Sequence, residues 1–155
     1  VARIVGLDVG ERRIGVAISD PTRTLARPLT VLRTTGLDGD ALGIASAEIE
    51  RLSGDEEGLS SVVVGLPRRL DGLPNEMTPR VKEFATRLHR RTGLPVVLQD
   101  ERLSSHEAES RLAAREKSWR ARKQLLDAAA AAVILQDYLD AHPAFGASAG
   151  SEPRL

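Results

Sequence analysis

Apolar positions fall in short blocks over the first hundred residues and in one long stripe near the end. Residues 3–9 and 12–19 read as strands joined by the turn VGER, where Gly10 is expected to supply the positive φ of a tight hairpin. LTVLR (29–33) reads as a third short strand after a break at Pro28. From Asp38 to Leu52, the residues Leu42, Ala45, Ile49 and Leu52 recur at helical spacings and predict an amphipathic helix. SSVVVGLP is a continuous apolar run stopped by Gly65 and Pro67, the pattern of a strand covered on both faces. Beyond the loop LDGLPNE, Pro79 suits the first turn of a helix with the stripe Val81, Phe84 and Leu88, ended by Gly93-Leu94-Pro95. VVLQ gives a fifth strand running into DERLSS. Ser104 and Glu107 have capping-box spacing, so a helix is expected from that serine. EKSWR (116–120) reads as a break, followed by a long helix from about Ala121 to Ala141 whose small-residue centre can approach a sheet closely.

The order is three strands, helix, strand, helix, strand, helix, helix. Strand–helix–strand crossovers favour parallel pairing, while the first three strands can meander antiparallel. The expected fold class is therefore α/β, a mixed five-stranded sheet flanked by helices. Residues 1–141 form the expected domain and 142–155 a loose tail.

Composition narrows the chemistry. The chain of 155 residues contains no cysteine, which excludes disulfides and thiolate metal sites. No run reaches membrane-spanning length and no signal-peptide shape opens the chain, so a cytoplasmic location and no membrane partner are expected. The formal net charge is zero, with 22 basic and 22 acidic side chains, so binding to nucleic acid by bulk charge is not expected. The charge is segregated, however: Arg111, Arg115, Lys117, Arg120, Arg122 and Lys123 face the single acid Glu116 over that stretch.

Three acidic positions stand out in apolar frames. Asp8 lies inside the first strand, Asp100 and Glu101 end the fifth, and Asp127 precedes five consecutive alanines. Parallel strands one and five would present their carboxyl ends at one sheet edge, where ligands of open α/β sheets bind. Converging carboxylates suit a hard divalent cation bound through oxygen. Taken singly, each has an ordinary reading: Asp8 capping a turn, Asp100-Glu101-Arg102 as a surface turn, Asp127 as a solvated helix residue. His89, His106 and His142 have no ligand spacing.

The blocks GLDVGERRIGVAISD, VVVGLPRRLDG, DERLSSHEAE and KQLLDAAAAAVILQDYL resemble, in order and spacing, the signature blocks of the YqgF/RuvX family. That resemblance implies the ribonuclease H-like fold with sheet order 3-2-1-4-5. It also implies a nuclease described either as a Holliday-junction resolvase or as the enzyme maturing the 5′ end of precursor 16S ribosomal RNA. Asp8 and Asp127 match the catalytic acids of the first strand and last helix. Many fold relatives carry a middle acid after the fourth strand, where this chain has GLP, so Glu101 takes that role, with Asp100 as the alternative. Strand five would then lie about 10 Å from strand one. Two Mg²⁺ or Mn²⁺ ions, held among Asp8, Asp100, Glu101 and Asp127, are the implied cofactors, acting on phosphodiesters.

Arg13 and Arg102, adjacent to the acids, are expected to steady a phosphate or else to pair with Asp8 or Glu101. Arg115, Lys117, Arg120, Arg122 and Lys123 would track the backbone of structured RNA or branched DNA, with Trp119 stacking on an unpaired base or anchoring its loop. A junction resolvase would work as a homodimer, since two strands must be cut symmetrically. Two other readings compete: a nucleotide-binding half-domain of the actin and sugar-kinase type, and a non-catalytic nucleic-acid or transcription-associated module.

Overall fold

The computed structural model describes residues 2–101 and 119–143, with side chains in the second stretch from Leu126 onward. The strands are β1 (Arg3–Val9), β2 (Arg13–Ser19), β3 (Ala26–Arg33), β4 (Leu59–Leu66) and β5 (Val96–Asp100). The helices are α1 (Ala41–Ser53), α2 (Met77–Thr92) and α3 (Trp119–Ala141). The sheet order is β3-β2-β1-β4-β5, as the resemblance implied. β1 pairs antiparallel with β2 and parallel with β4, and β4 pairs parallel with β5. The helix expected from Ser104 and the residues of the tail from 144 lie outside the described residues.

Strand alternation divides the sheet into two faces. Val5, Leu7, Ile14, Val16, Val62, Val64 and Val96 pack in one core with Ala45 and Ile49 of α1 and Val81, Phe84 and Leu88 of α2. Ile4, Ala17, Val63 and Val97 pack on the opposite face against Ala131, Ile134, Leu135, Tyr138 and Leu139 of α3. The unbroken apolar run of β4 follows from this, because both of its faces are covered. Parity then places Asp8, Arg13 and the position of Glu101 on the α3 face.

Two details differ from the sequence reading. β3 runs through Pro28 instead of starting after it, with a register shift where β2 passes from Val16 to Ala17. Proline is tolerated there because β3 is an edge strand. The Gln136 side chain holds the early part of β3, accepting from the Ala26 N–H and donating to the Thr24 carbonyl, both at 2.9 Å. The second difference is Gly10, whose φ is not positive. Its N–H donates to the Arg13 carbonyl at 2.8 Å. A Cβ at Gly10 would sit 3.0 Å from that same carbonyl oxygen, so the glycine serves close approach and not handedness.

Candidate active site

The α3 face carries a transverse row in which glycine sits on both sides of an aspartate. Asp8 of β1 pairs with Gly15 of β2, and Leu7 pairs with Val64, which sets Gly65 of β4 on the other flank. A Cβ at Gly15 would fall 2.0 Å from the Asp127 carbonyl oxygen, so the α3 backbone rests directly on β2. One helical step along, a Cβ at Gly6 would meet Leu135 Cβ at 2.8 Å and the Ala131 carbonyl at 3.2 Å. The bare backbone of the sheet thus receives the small-residue stripe of α3 and brings Asp127 beside Asp8.

Gly65 clears the other approach. A Cβ there would stand 3.1 Å from Glu101 Oε2, with Ile134 Cδ1 at 2.5 Å. Glu101 follows β5 and donates its N–H to the Leu66 carbonyl at 3.2 Å. Its side chain crosses the empty place on β4 and meets the Asp8 carboxyl, closing the gap of two strand spacings. Asp100, one residue earlier, falls on the other parity and is exposed. Its charge still adds to the upward pressure on the Glu101 carboxyl.

Two carboxyls held together and half-withdrawn from water cannot both ionise cheaply. Burial raises Asp8 above the usual carboxylate range, and the Asp127 charge adds to that, while contact with Glu101 opposes it. Glu101 is raised further, first by burial and then by the charge and hydrogen bond of Asp8, so the pair shares a proton near neutrality. Glu101 Oε2 is buried with no hydrogen-bond partner among the described residues. Asp127 is turned toward Arg13, whose Nε stands 3.2 Å from Oδ2. Arg13 therefore pairs with Asp127, and not with Asp8 or Glu101 as the sequence reading allowed. Among the described residues no group of three acids or histidines is drawn close enough to hold a metal ion: Asp8 and Glu101 touch, and Asp127 pairs with Arg13.

An open cleft of about 380 Å³ lies in front of these groups, lined by Asp8, Gly10, Glu11, Arg12, Arg13 and Asp127. Glu11 and Arg12 went unremarked in the sequence. Glu11 is held by Arg80 of α2 at 2.6 Å, which keeps its carboxyl below the usual range. Gly15 was also missed, and Gly65, read as a strand stop, lies inside β4, which runs on to Leu66; a glycine inside a strand is the usual sign of close backbone or ligand approach. Trp119, Arg120, Arg122 and Lys123 fall in the first two turns of α3, Arg120 and Lys123 lying seven and four residues before Asp127. Their place on the helix that carries Asp127 is as far as the backbone specifies them. Arg102, Arg115 and Lys117 lie outside the described residues.

A 3-2-1-4-5 sheet with acids from its first strand, its fifth strand and the last helix has the architecture of ribonuclease H-like nucleases. The fold likeness extends to Thermus thermophilus RuvC in complex with a Holliday junction substrate, at TM-score 0.55 and 15% identity over the whole of both chains. Within that class, residues 2–141 match the family model RuvX, described as Holliday junction resolvase, and the chain belongs to that family of phosphodiester-cleaving nucleases. A Burkholderia ambifaria protein named "Putative pre-16S rRNA nuclease" is 45% identical over 90% of this chain and 89% of its own length. A relative of the same name from Anaeromyxobacter sp. is 44% identical over 89% of this chain and 96% of its own. No helix among the described residues is long and apolar enough to cross a membrane.

Proposed function

We propose that this chain is a divalent-metal-dependent endonuclease for structured nucleic acid, with the 5′ end of precursor 16S ribosomal RNA as its substrate. The observation that carries this is the Asp8–Glu101 contact, a half-buried pair of like groups in which Glu101 Oε2 meets no donor among the described residues. Hard oxygen donors that repel one another fit a Mg²⁺ or Mn²⁺ ion, with Asp8 and Glu101 as its holders and Asp127 joining on release from Arg13. When bound, such an ion supplies charge for the phosphoryl oxygens and an acidified water.

The chain's own residues do the rest. Asp8 and Glu101 hold between them one proton near neutrality. Arg13 keeps Asp127 oriented over the cleft and offers the cationic face nearest an entering phosphate. Asp100, off the shared face, adds its charge to the pressure on Glu101. Arg120, Arg122 and Lys123, on the turns preceding Asp127, are proposed to follow the nucleic-acid backbone, which gives affinity without sequence. The names of the relatives support the ribosomal RNA substrate. The family description supports the second reading, resolution of four-way DNA junctions, which would call for a two-fold dimer.

Both substrates belong in one assay. Labelled junction DNA and a 5′-leader precursor RNA are incubated with Mg²⁺ or Mn²⁺ and with wild-type, Asp8→Asn or Asp127→Asn protein. Metal-dependent cleavage is expected from wild type alone, with each substitution lowering the rate at least about 100-fold. Preference for the RNA supports the first reading, and paired symmetric cuts in the junction the second. Binding without cleavage by all three proteins would leave a non-catalytic module.

A further inference from the structure

The segment between β4 and α2 closes on itself as a small hairpin. Arg68 and Pro74 form an antiparallel bridge. The Arg69 N–H donates to the Leu73 carbonyl and the Gly72 N–H to the Arg69 carbonyl, both at 2.9 Å. Gly72, at φ 88°, takes the left-handed turn that a side chain would strain. Asp71 accepts the Leu73 N–H at 3.0 Å and pairs with Arg69 at 2.9 Å. The Thr78 hydroxyl pins the base, donating to the Pro67 carbonyl at 2.5 Å.

This well-bonded loop presents apolar side chains to water. Leu70 is 75% exposed and Leu73 54% exposed; Leu25, at 66%, is the other large apolar side chain so placed among the described residues. A single exposed leucine is ordinary. Two on one preorganised tip, with Arg68 and Arg69 at its foot, call for an occupant. The tip's position points to one. β4 lies between β1 and β5, and the hairpin leaves its carboxyl end where Glu101 bonds to Leu66. Leu70 is five residues beyond Gly65, so it stands at most about 17 Å from it, or about five base steps along a strand.

We propose that this hairpin is a nucleic-acid wedge: Leu70, backed by Leu73, enters the base stack at a branch or helix end while Arg68 and Arg69 meet the flanking phosphates. Apolar side chains inserted between base steps unstack them, and unstacking is cheapest where a neighbouring base is already unpaired. Guanidiniums match phosphate oxygens, and the Arg69–Asp71 pair is exposed enough to exchange for one. The wedge selects nucleic acid by shape, at the edge where the acids stand. It rests on the nucleic-acid reading of the site and adds the part of the substrate that is gripped.

The test uses the full chain carrying Asp8→Asn, so that no cleavage intervenes, with junction DNA and a stem with a 5′ leader in RNA. Each carries 2-aminopurine at the branch point or stem end, and a control duplex carries it internally. Binding is expected to raise fluorescence at the branch or stem end and not in the duplex. Adding Leu70→Ser should abolish the rise and weaken binding about 10-fold, while Leu70→Met should keep both. Unchanged affinity and an unchanged rise in Leu70→Ser would overturn the proposal. So would unchanged binding with a loss of self-association in sedimentation, which would make the tip a protein contact. A Leu70-dependent rise alongside a wild-type protein that cleaves neither substrate would sink the hydrolase reading and leave the wedge standing.

Discussion

At the scale of single residues, the Asp8–Glu101 pair sets the pH behaviour. Both carboxyls are raised in the folded state, so the folded chain binds more protons than the unfolded one. Their contribution to stability is therefore fully present below the ordinary carboxylate range and is lost as pH climbs through the raised folded values. Glu101→Gln removes one charge of the pair and keeps its shape. Urea denaturation should show the variant more stable than wild type at pH 8, by on the order of 2 kcal/mol, with the difference gone by pH 4. A gap independent of pH would mean that the carboxyls do not repel. The sequence showed Asp8 and Asp127 through their apolar frames. It could not show that Arg13 pairs with Asp127, because that contact depends on how closely α3 lies on β2.

At the scale of elements, the glycines of the α3 face govern how the acids meet. Gly15→Ala drives a methyl into helix backbone, which cannot yield, and should cost about 3 kcal/mol or more in chemical denaturation. Gly65→Ala meets instead the flexible tips of Ile134 and Glu101. It should cost under about 1 kcal/mol yet slow cleavage roughly 10-fold with little change in KM, because Glu101 is displaced from Asp8. Equal stability losses at the two positions would refute this distinction between backbone and side-chain clearance. β1, β4 and β5 were legible because their apolar runs are local. The start of β3 was not, since its anchor is Gln136, far along the chain. Gly10 was misread because turn chemistry offers glycine two uses, positive φ and close approach, and the sequence does not distinguish them.

At the scale of the whole molecule, the proposed metal site would link ion binding to folding. An ion that binds only the folded site raises stability with its concentration. Mg²⁺ or Mn²⁺ at 100 times its dissociation constant should raise the stability of wild type by about 2.7 kcal/mol, a shift of roughly 5–10 °C in Tm. Asp8→Asn should show little or none of it in a thermal melt. A shift of equal size in both proteins would place the ion elsewhere. The overall order of strands followed from the alternation of strands and helices together with the family resemblance. The two-faced packing gives that order its consequence, since Asp8 and Glu101 stand on the face that α3 covers and Asp127 comes with α3.

That coverage ties the complete site to the docking of α3. Asp8 comes well before Asp127 in the chain, and among the described residues it is α3 that covers Ile4, Val63 and Val97 on their side of the sheet. A growing chain on the ribosome therefore holds Asp8 without the acid and arginine pairing that completes the cleft. A site assembled in this order stays incomplete until α3 has left the exit tunnel and docked.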